Sequence, residues 1–479
     1  MSGTLAFQSN SNNAWIFNGN NGNLNYNNNR INANGARVFR DSCLADWERY
    51  QSAPIPLSVL YIWYGISKRG KRRTLVQLRF EADYPEHIRD DLWWVMNGPI
   101  CVPLPSRGFV LDYPTPREVI HPEMRDRIPQ TIWCETIRPF AEKKMDPASY
   151  SCRVGRGALA AVQQLIHLYK VESEGGKYPC RLISIDQKSF FLHIWRPMVV
   201  EMFGKMIDEA FADNEVKRDW MHWMCRILYL SEPAEGFIRD CPIEKWGLLP
   251  PHKIAANLPP LTGVEIGNLD AQLAGNVVSA VYLAIFREYG YVTFVHYTDD
   301  VKLVLREDRV AQFNQIFLPE LRRREAEYGL ELNEKKYYNQ PSEHGVTAFG
   351  YFIKTIPGTN GGVLVYPSKR VVNNCHLRIA RYMTRVDDIY YRLKNKEHFR
   401  DTLNSYYGIF RHCDAYELRK EIAQEILASP WGDLFEQVDD YKYFRIVKRF
   451  TTRAHKAYKN KQLRHFIYNY GQTITTAAA

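Results

Sequence analysis

The sequence predicts an α+β fold built around an antiparallel β-hairpin and followed by a mostly helical C-terminal part. Two strand-like apolar runs, 291–297 and 301–305, are separated by a short polar turn, a pattern typical of a hairpin. Just before them, apolar residues recur every four positions over 269–281, which predicts a helix with one apolar face. Beyond residue 368 the chain is basic and mostly helical in pattern.

Composition and periodicity predict the other elements in chain order. Thirteen of the first 35 residues are Asn, so residues 1–40 have little to bury and are predicted to be loop or disordered. A basic cluster lies at 68–73, and Pro and β-branched residues predict short strands and turns over 95–130. Residues 157–169 and 308–327 predict helices.

The overall charge favours a polyanionic partner. The 479 residues suggest about two to four subdomains. The formal net charge is +10 and the pI about 9.0, and basic proteins gain from neutralising phosphates. Residues 441–479 contain nine Lys and Arg and no Asp or Glu. This stretch is either a nucleic-acid surface or a solvated basic tail or helix face.

Cysteine usage and hydropathy indicate the compartment. The nine cysteines include no Cys-x-x-Cys pair, so the sequence does not predict a zinc site. The N-terminus lacks a basic-then-apolar signal pattern, and no run approaches the ~18 uninterrupted apolar residues of a membrane span. We therefore expect a cytoplasmic protein with reduced thiols that does not enter a membrane.

Three carboxylates are placed at the ends of predicted strands. Asp186 ends the apolar run 181–185, and Asp299 and Asp300 lie in the hairpin turn about 110 residues later. Joining nucleotides requires two divalent metals, and Mg²⁺ prefers carboxylate oxygens that converge on a rigid sheet. An Asp-Asp turn is common by itself, so its significance depends on the surrounding motifs.

Five short motifs, taken in order along the chain, resemble the characteristic boxes of reverse transcriptases. They are Arg117-Glu118-Val119 with Pro122 and Arg125-Asp126-Arg127-Ile128-Pro129-Gln130, then Tyr150-Ser151-Cys152-Arg153-Val154-Gly155-Arg156-Gly157, then Asp186-Gln187-Lys188-Ser189-Phe190-Phe191, then Tyr297-Thr298-Asp299-Asp300, and finally Ala348-Phe349-Gly350-Tyr351. Each motif is short, but their common order and spacing argue against chance.

A further segment, Ile266-Gly267-Asn268-Leu269-Asp270-Ala271-Gln272, bears on the subtype. It is similar to the enzymes of diversity-generating retroelements and to related bacterial defence enzymes, whereas most reverse transcriptases have Gln-Gly followed by Ser-Pro. A second set of residues resembles the thumb of that group: Asn404-Ser405-Tyr406, Gly408, His412 and Tyr416-Glu417-Leu418-Arg419. Ala271, His296 and Val264-Glu265 depart from the pattern. These departures keep the defence subtype open.

The Asn-rich N-terminus fits the retroelement subtype. Such elements copy a template repeat with errors at adenines, and Asn codons are rich in adenine. Residues 13–23 look like such a repeat translated in frame. The alternative is a low-complexity arm. A near-copy in a neighbouring gene that differs mainly at adenines would distinguish the two.

The resemblance implies a right-hand polymerase, with fingers and palm around an antiparallel sheet and a helical thumb. It divides the chain into an Asn-rich segment (1–40), fingers with an N-terminal extension (41–180), a palm with inserted fingers elements (181–355), and a basic helical thumb and tail (356–479). It also implies two Mg²⁺ ions, for which Mn²⁺ can substitute. The implied partners are deoxynucleoside triphosphates, an RNA template, an RNA/DNA duplex, and a small basic accessory protein or other subunit.

The resemblance also implies roles for individual residues. The expected catalytic metal ligands are Asp186, Asp299 and Asp300, with the backbone carbonyl of Gln187. The expected nucleotide-binding residues are Arg153, Arg156, Phe191, Gln272 and Lys335, and the expected template and primer contacts are Gly267, Asn268 and Tyr297. Phe191 would exclude a ribose 2′-hydroxyl, unless it is an ordinary core residue. Lys335, or equally Lys336, would act as a general acid for pyrophosphate release.

Four functions remain open at this level. The first is an active retroelement enzyme, and the second is an antiphage reverse transcriptase that uses a dedicated non-coding RNA. The third is an RNA-binding scaffold without catalysis, against which the three aspartates argue. The fourth, an RNA-dependent RNA polymerase, shares the palm but is disfavoured by Phe191.

Overall fold

The computed structural model describes three short strands within residues 4–27 and then residues 57–67, 75–82, 106–111, 115–230 and 238–448. The predicted basic cluster at 68–73 and the basic tail from residue 449 onward lie outside the described residues.

The described part contains short strands and helices that alternate along most of the chain. The strands are β1 (Thr4–Gln8), β2 (Ala14–Asn18), β3 (Asn23–Asn27), β4 (Arg107–Leu111), β5 (Arg117–His121), β6 (Cys180–Asp186), β7 (Ile238–Arg239), β8 (Phe294–Tyr297), β9 (Asp300–Arg306), β10 (Tyr338–Pro341), β11 (Val346–Ala348), β12 (Tyr351–Thr355), β13 (Val363–Pro367), β14 (Phe435–Val438) and β15 (Tyr443–Ile446). The helices are α1 (Leu57–Ser67), α2 (Leu75–Ala82), α3 (Met124–Lys144), α4 (Ala158–Glu172), α5 (Phe190–His193), α6 (Arg196–Ala210), α7 (Glu215–Leu230), α8 (Leu269–Glu288), α9 (Val310–Gln312), α10 (Leu318–Glu327), α11 (Lys369–Met383), α12 (Ile389–Phe410) and α13 (Tyr416–Ala428), and a π-helical turn (Phe313–Phe317) joins α9 to α10.

The centre of the fold is a four-stranded antiparallel sheet with the strand order β10-β6-β9-β8. β6 and β9 pair from Cys180 opposite Arg306 to Asp186 opposite Asp300. β8 and β9 form the predicted hairpin. Because directly opposite side chains point to the same face of a sheet, the register places the Asp186 and Asp300 side chains on one face.

The two faces of this sheet are covered by different cores. Ile183 and Leu303 join a large core that also contains side chains of α3, α6, α7 and α8. Leu182 and Val304 point the other way and pack with α4 and the β11–β12 hairpin. Alternation along each strand therefore places the carboxylates on the face that is covered by α4.

The C-terminal helices α11, α12 and α13 have a core of their own. Trp431 is fully buried in it and packs edge-on against Phe399, with 4.7 Å between ring centroids. The small hairpin β14–β15 closes this core through Phe435 and Phe444. The predicted α+β class is confirmed. An antiparallel sheet that carries carboxylates, followed by a separate helical unit, is the arrangement expected of a right-hand polymerase.

The prediction for the N-terminal residues is wrong where the structure describes them. β1, β2 and β3 form a three-stranded antiparallel sheet within the region expected to be loop or disordered. β2 contains Trp15, Ile16 and Phe17, residue types that favour strands. Pairing on both sides of β2 satisfies its backbone polar groups, so a strand forms despite the Asn-rich composition.

Helix α3 corrects another prediction. The strands β4 and β5 agree with the short strands expected over 95–130, but the chain becomes helical at Met124 and stays so through Pro129 and Pro139. Proline disfavours a helix interior. The helix nevertheless buries ten of its side chains, including Trp133 and Ile137, and this tertiary packing outweighs the local penalty. The helices expected over 157–169 and 308–327 are present as α4 and as α9 to α10.

Among the described helices, α8 is the one that is long and apolar enough to cross a membrane by length and composition. Of its most apolar window, 72% is buried inside the protein. The helix packs directly behind the central sheet and contributes Leu273, Val277 and Leu283 to the large core. It therefore serves as a core helix in this fold.

Candidate active site

The turn between β8 and β9 has a strained backbone that is held from two sides. Thr298 has φ 64, which is unusual for a β-branched residue but suits the first position of a two-residue hairpin turn. Its carbonyl oxygen accepts hydrogen bonds from His296 Nε2 at 2.8 Å and from Ser279 Oγ at 3.3 Å. The turn that presents Asp299 is thus fixed by its surroundings rather than by local preference.

His296, which departs from the reverse-transcriptase pattern, has a structural role here. Its ring is buried, and burial lowers the pKa of His296 to about 4, so the imidazole is neutral. Because the Thr298 carbonyl can only accept, Nε2 carries the hydrogen and Nδ1 accepts from the Ser149 hydroxyl at 3.0 Å. The backbone of His296 also bonds to Ala148 and Tyr150. These bonds join the hairpin to the predicted motif Tyr150–Gly157, which we call the fingers box.

Three carboxylates converge beside this turn. Asp186 and Asp300 are cross-strand neighbours. The backbone N–H of Gln187 donates to the Asp299 carbonyl oxygen at 2.9 Å, which brings the turn against the end of β6. Burial, followed by the charges of Asp186 and Asp300, raises the pKa of Asp299 to about 6. Like charges therefore crowd one spot, as a site for divalent cations requires.

Two lysines balance part of this negative charge. Lys336 Nζ and Asn333 Nδ2 each contact a different carboxylate oxygen of Asp186 at 2.8 Å. Lys302 is only 5% exposed, and its Nζ lies 2.6 Å from Asp300 Oδ1 and 2.6 Å from Ser184 Oγ. Burial raises the pKa of Asp300 even so. In the described part of the chain, Asp299 is the one of the three that forms no ion pair.

The donor set suits magnesium, although the side chains are turned toward their lysine and asparagine partners. No group of three or more His, Cys, Asp or Glu among the described residues is gathered closely enough to hold a metal as the side chains stand. The three aspartates nevertheless offer hard oxygen ligands from one rigid end of the sheet. Burial, and then the negative charges of Asp186 and Asp300, raise the pKa of Asp299 there. Asp186 and Asp299 would hold the ions, and the Gln187 carbonyl remains a predicted ligand.

A buried polar network behind the carboxylates positions the Asn333–Lys336 turn. Glu325 accepts from Gln187 Nε2 at 3.0 Å and from the Leu332 backbone N–H at 2.8 Å. Asn333 follows at once, and its backbone N–H donates to the Asp186 carbonyl oxygen at 2.8 Å. Burial raises the pKa of Glu325. Through this network α10 fixes the segment that reaches the first carboxylate.

Phe191 lies on the short helix α5 just after the first carboxylate. Its ring is half-buried and packs edge-on against Phe190, with 5.4 Å between centroids. The Val264 backbone N–H donates to the Phe191 carbonyl oxygen at 2.9 Å. The position is compatible both with the predicted sugar contact and with partial membership of the core.

The two arginines of the fingers box are bound to their own loop. Arg153 donates to Glu142 Oε2 at 2.7 Å and to the carbonyl oxygens of Asp146 and Ser149, and its side chain is 9% exposed. Arg156 donates to the Pro147 carbonyl oxygen and lies over the Tyr150 ring, 5.0 Å from its centroid. Either arginine must release these hydrogen bonds before it can bind a triphosphate.

The residues at the start of α8 divide into buried and exposed positions. Gly267 has φ 127, and a Cβ there would lie 2.8 Å from the Ile120 carbonyl oxygen. The close backbone approach that was predicted toward the template is therefore made to β5 in this structure. Asn268 is buried and donates to Glu265 Oε2 at 2.7 Å. Gln272 is exposed, as a contact to a base pair would require.

The remaining predicted residues lie around the carboxylates. Lys335 is exposed, and its neighbour Lys336 is the lysine that reaches Asp186. Tyr297 packs against Phe349, with 5.3 Å between ring centroids. Phe349 lies in the turn between β11 and β12, within the Ala348-Phe349-Gly350-Tyr351 motif, whose resemblance implies a palm-to-thumb turn. The Tyr-x-Asp-Asp box therefore rests on that hairpin.

The sequence reasoning missed Lys302, Ser184 and Glu325. Lys302 lies in an otherwise apolar strand two positions after Asp300. Alternation along a strand places such residues on the same face, so this spacing could have predicted the contact. The partnership of Glu325 with Gln187 depends on tertiary packing and has no local sequence signal.

Neither a known protein family nor a curated protein matches the sequence. Among solved structures, the chain is similar to telomerase from Candida albicans in complex with the TWJ fragment of telomeric RNA, at 9% identity and a TM-score of 0.39 over 82% of this chain and 76% of that one. It is also similar to apo telomerase from Candida tropicalis, at 10% identity and a TM-score of 0.38 over 67% of this chain. A form of that enzyme truncated from its C-terminal domain has 11% identity and a TM-score of 0.36 over 53% of this chain.

The chain spans 59% of the Candida tropicalis enzyme and 54% of its truncated form. At these identities and TM-scores the similarity does not bear on activity, which depends on this chain's own residues.

Proposed function

We propose that this chain is an RNA-directed DNA polymerase, a reverse transcriptase that extends a primer on an RNA template. The observation that supports this most strongly is the convergence of Asp186, Asp299 and Asp300. They come from two paired strands and one strained turn. Such a constellation on an antiparallel sheet fits metal-assisted nucleotidyl transfer better than it fits a scaffold.

The protein contributes charge and rigidity. Two Mg²⁺ ions, or Mn²⁺ in their place, would activate the primer 3′-hydroxyl and neutralise the triphosphate. Asp186 and Asp299 would hold them, while Asp300 supports the site from its contact with Lys302. The hydrogen bonds of His296 and Ser279 to the turn keep these oxygens in fixed positions.

Lys336 is the stronger candidate for the pyrophosphate side of the reaction. Its ammonium contacts Asp186 at 2.8 Å, next to the place where the triphosphate would lie. Protonation of the leaving group requires a donor within hydrogen-bond reach. Both Lys335 and Lys336 are exposed, but Lys335 forms no hydrogen bond or ion pair with the described residues. We expect Lys336→Met to lower kcat by about a hundredfold and Lys335→Met to leave it near the wild-type value.

The sugar preference is proposed from Phe191. An aromatic ring beside the nucleotide site would collide with a ribose 2′-hydroxyl, which favours deoxynucleotides over ribonucleotides. The ring is half-buried on α5, immediately after the strand that ends at Asp186. This placement supports synthesis of DNA rather than RNA.

The biological role that we propose is error-prone copying of a template repeat in a diversity-generating retroelement. The Ile266-Gly267-Asn268 segment and the Asn-rich N-terminus support it. The proposed partners are a structured RNA from the same locus and a small basic accessory protein or other subunit, in the cytoplasm. Antiphage defence with a dedicated non-coding RNA is the second candidate, which the departures at Ala271, His296 and Val264-Glu265 keep open.

Primer extension tests the central proposal. Wild type, Asp299→Asn and the control Asp308→Asn are compared on poly(rA)/oligo(dT) with dTTP and Mg²⁺. Asp308 is an exposed aspartate that pairs with Arg306 on the surface. We expect wild type and the control to extend the primer, and Asp299→Asn to lose at least about a thousandfold in rate.

The outcome also separates the alternatives. If neither wild type nor control extends the primer, even when RNA from the native locus is added, the polymerase proposal is wrong and a binding role is favoured. If extension occurs, sequencing of cDNA from the native RNA distinguishes the subtypes. Errors concentrated at adenines would support the retroelement role, and a uniform low error rate would count against it.

A further inference from the structure

Gly275 lies in the middle of helix α8, where glycine is unfavourable. Glycine is the poorest helix former other than proline, because it loses most backbone freedom on folding. α8 is a 20-residue core helix, and alanine would be preferred at an interior position with free space. A specific neighbour therefore occupies the volume of the missing side chain.

That neighbour is the ring of Phe191. A Cβ at position 275 would lie 2.9 Å from Phe191 Cε1, and 3.3 Å from both Phe191 Cζ and Phe190 Cε1. Phe190 is buried at 3% exposure, so it has little room to move. Phe191 is half-buried and its backbone is held by the hydrogen bond from Val264. Any methyl group at 275 must therefore displace the Phe191 ring away from α8.

The same helix is tied to the carboxylate turn. Ser279 lies one helical turn after Gly275, and its hydroxyl is 2.7 Å from the Gly275 carbonyl oxygen and 3.3 Å from the Thr298 carbonyl oxygen. The hydroxyl hydrogen is shared between these two acceptors. α8 therefore contacts the Phe191 ring at Gly275. One turn later, Ser279 of the same helix donates to the backbone of Thr298, the residue before Asp299.

We infer that Gly275 is a positioning residue that sets the location of the Phe191 ring relative to the carboxylates, and so the space left for the sugar of the incoming nucleotide. This inference rests on the proposed polymerase function. In wild type the ring lies against the bare Gly275 backbone and leaves room for deoxyribose. A methyl group at 275 moves the ring into that room.

Single-nucleotide incorporation on the primer-template tests the inference. We expect Gly275→Ala to raise KM for dTTP by about tenfold while kcat stays within about twofold. Gly204→Ala is the matched control, because Gly204 is also helical and a Cβ there would meet no atom closer than His222 Cε1 at 3.6 Å. It should behave as wild type.

Truncation of the ring identifies its part in the effect. In a Phe191→Ala background the 2.9 Å contact is absent and only the 3.3 Å contact with Phe190 Cε1 remains, so Gly275→Ala should change KM by less than about twofold. Discrimination against UTP should be equally weak with and without the methyl group. A fall in kcat that is the same with and without the Phe191 ring would overturn the inference. Unaltered KM in the single Gly275→Ala variant would overturn it as well.

Thermal unfolding separates this inference from the proposed function. We expect Gly275→Ala to lower Tm clearly more when Phe191 is present than when it is alanine. The helix preference of alanine and the 3.3 Å contact with Phe190 act in both backgrounds, whereas the 2.9 Å contact exists only with the Phe191 ring. Absence of this coupling overturns the packing claim whatever the activity. If the coupling is present but wild type extends no primer, the sugar-selecting role falls together with the polymerase proposal.

Discussion

Replacing Lys302 by methionine would remove the ammonium group that contacts Asp300. Lys302 is 5% exposed, and its Nζ lies 2.6 Å from both Asp300 Oδ1 and Ser184 Oγ. Methionine fills a similar volume without a charge or a hydrogen-bond donor. The substitution therefore leaves Asp300 without its counter-charge beside Asp299, which forms no ion pair among the described residues, while Asp186 keeps Lys336. The packing changes little.

The magnitude follows from the burial of the pair. Removing one partner of a buried ion pair costs about 3–5 kcal/mol, because the remaining charge stays desolvated. The Asp300 side chain is 24% exposed, so water screens it in part and the lower end applies. We expect the free energy of unfolding of Lys302→Met to fall by about 3 kcal/mol in the absence of divalent ions.

Chemical unfolding in EDTA and then in Mg²⁺ or Mn²⁺ tests this reasoning. A metal ion can take over the charge that Lys302 no longer balances, so metal should stabilise Lys302→Met more than wild type. Each tenfold gain in metal affinity adds about 1.4 kcal/mol at saturating metal. Asp300→Asn combined with Lys302→Met should recover most of the loss, because position 300 then carries no charge that has lost its partner.

An exposed lysine provides the control. Lys205 pairs with Glu201 one turn earlier on the surface of α6, and its side chain is 76% exposed. Lys205→Met should leave stability and its metal dependence unchanged. The reasoning is refuted if Lys302→Met unfolds like wild type in EDTA, or if metal stabilises the two proteins equally.

Three other expectations concern buried groups. Burial raises the pKa of Asp270 to about 7, so the folded state binds an extra proton, and this group's contribution to the free energy of unfolding falls as pH rises from about 4 to 7. Asp270→Asn should therefore make Tm depend less on pH over that range and should give a higher Tm than wild type at pH 8. Glu325→Gln should lower the free energy of unfolding, measured by urea denaturation, by about 1–3 kcal/mol. One of the two acceptor oxygens becomes a donor that faces either Gln187 Nε2 or the Leu332 N–H. Unchanged stability would contradict the network. Arg153→Ala should lower stability by about 1.5–3 kcal/mol through loss of its bond to Glu142, whereas a raised KM for dTTP at unchanged stability would favour the predicted triphosphate role instead.

The parts of the site that sequence analysis could predict are those whose geometry is local. The two strand-like runs over 291–297 and 301–305 predict the hairpin, and an Asp-Asp pair between them must lie at its tip. The apolar run before Asp186 similarly places that carboxylate at a strand end. The identity of the lysine near the carboxylates stayed open between Lys335 and Lys336, because two adjacent residues point in different directions and only the docked turn distinguishes them.

The parts that could not be predicted depend on contacts between distant segments. Arg153 has the residue type and motif of a phosphate ligand, but its bond to Glu142 arises from how α3 packs beside the fingers box. The glycine at 267 is explained by β5, more than a hundred residues earlier in the chain. Pro129 and Pro139 argued locally against α3, whose ten buried side chains stabilise it instead.

The pairing of β6 with β9 has a consequence for the order in which the protein folds. Asp186 and Asp300 become neighbours only when segments about 110 residues apart have joined, and closing so long a loop carries a large entropic cost. Contacts of this range form slowly. A nascent chain that has emerged only as far as β9 would hold its three carboxylates without Lys336, which belongs to a later segment. The charge balance of the centre is therefore completed late in synthesis, when the turn at Glu334–Lys336 docks.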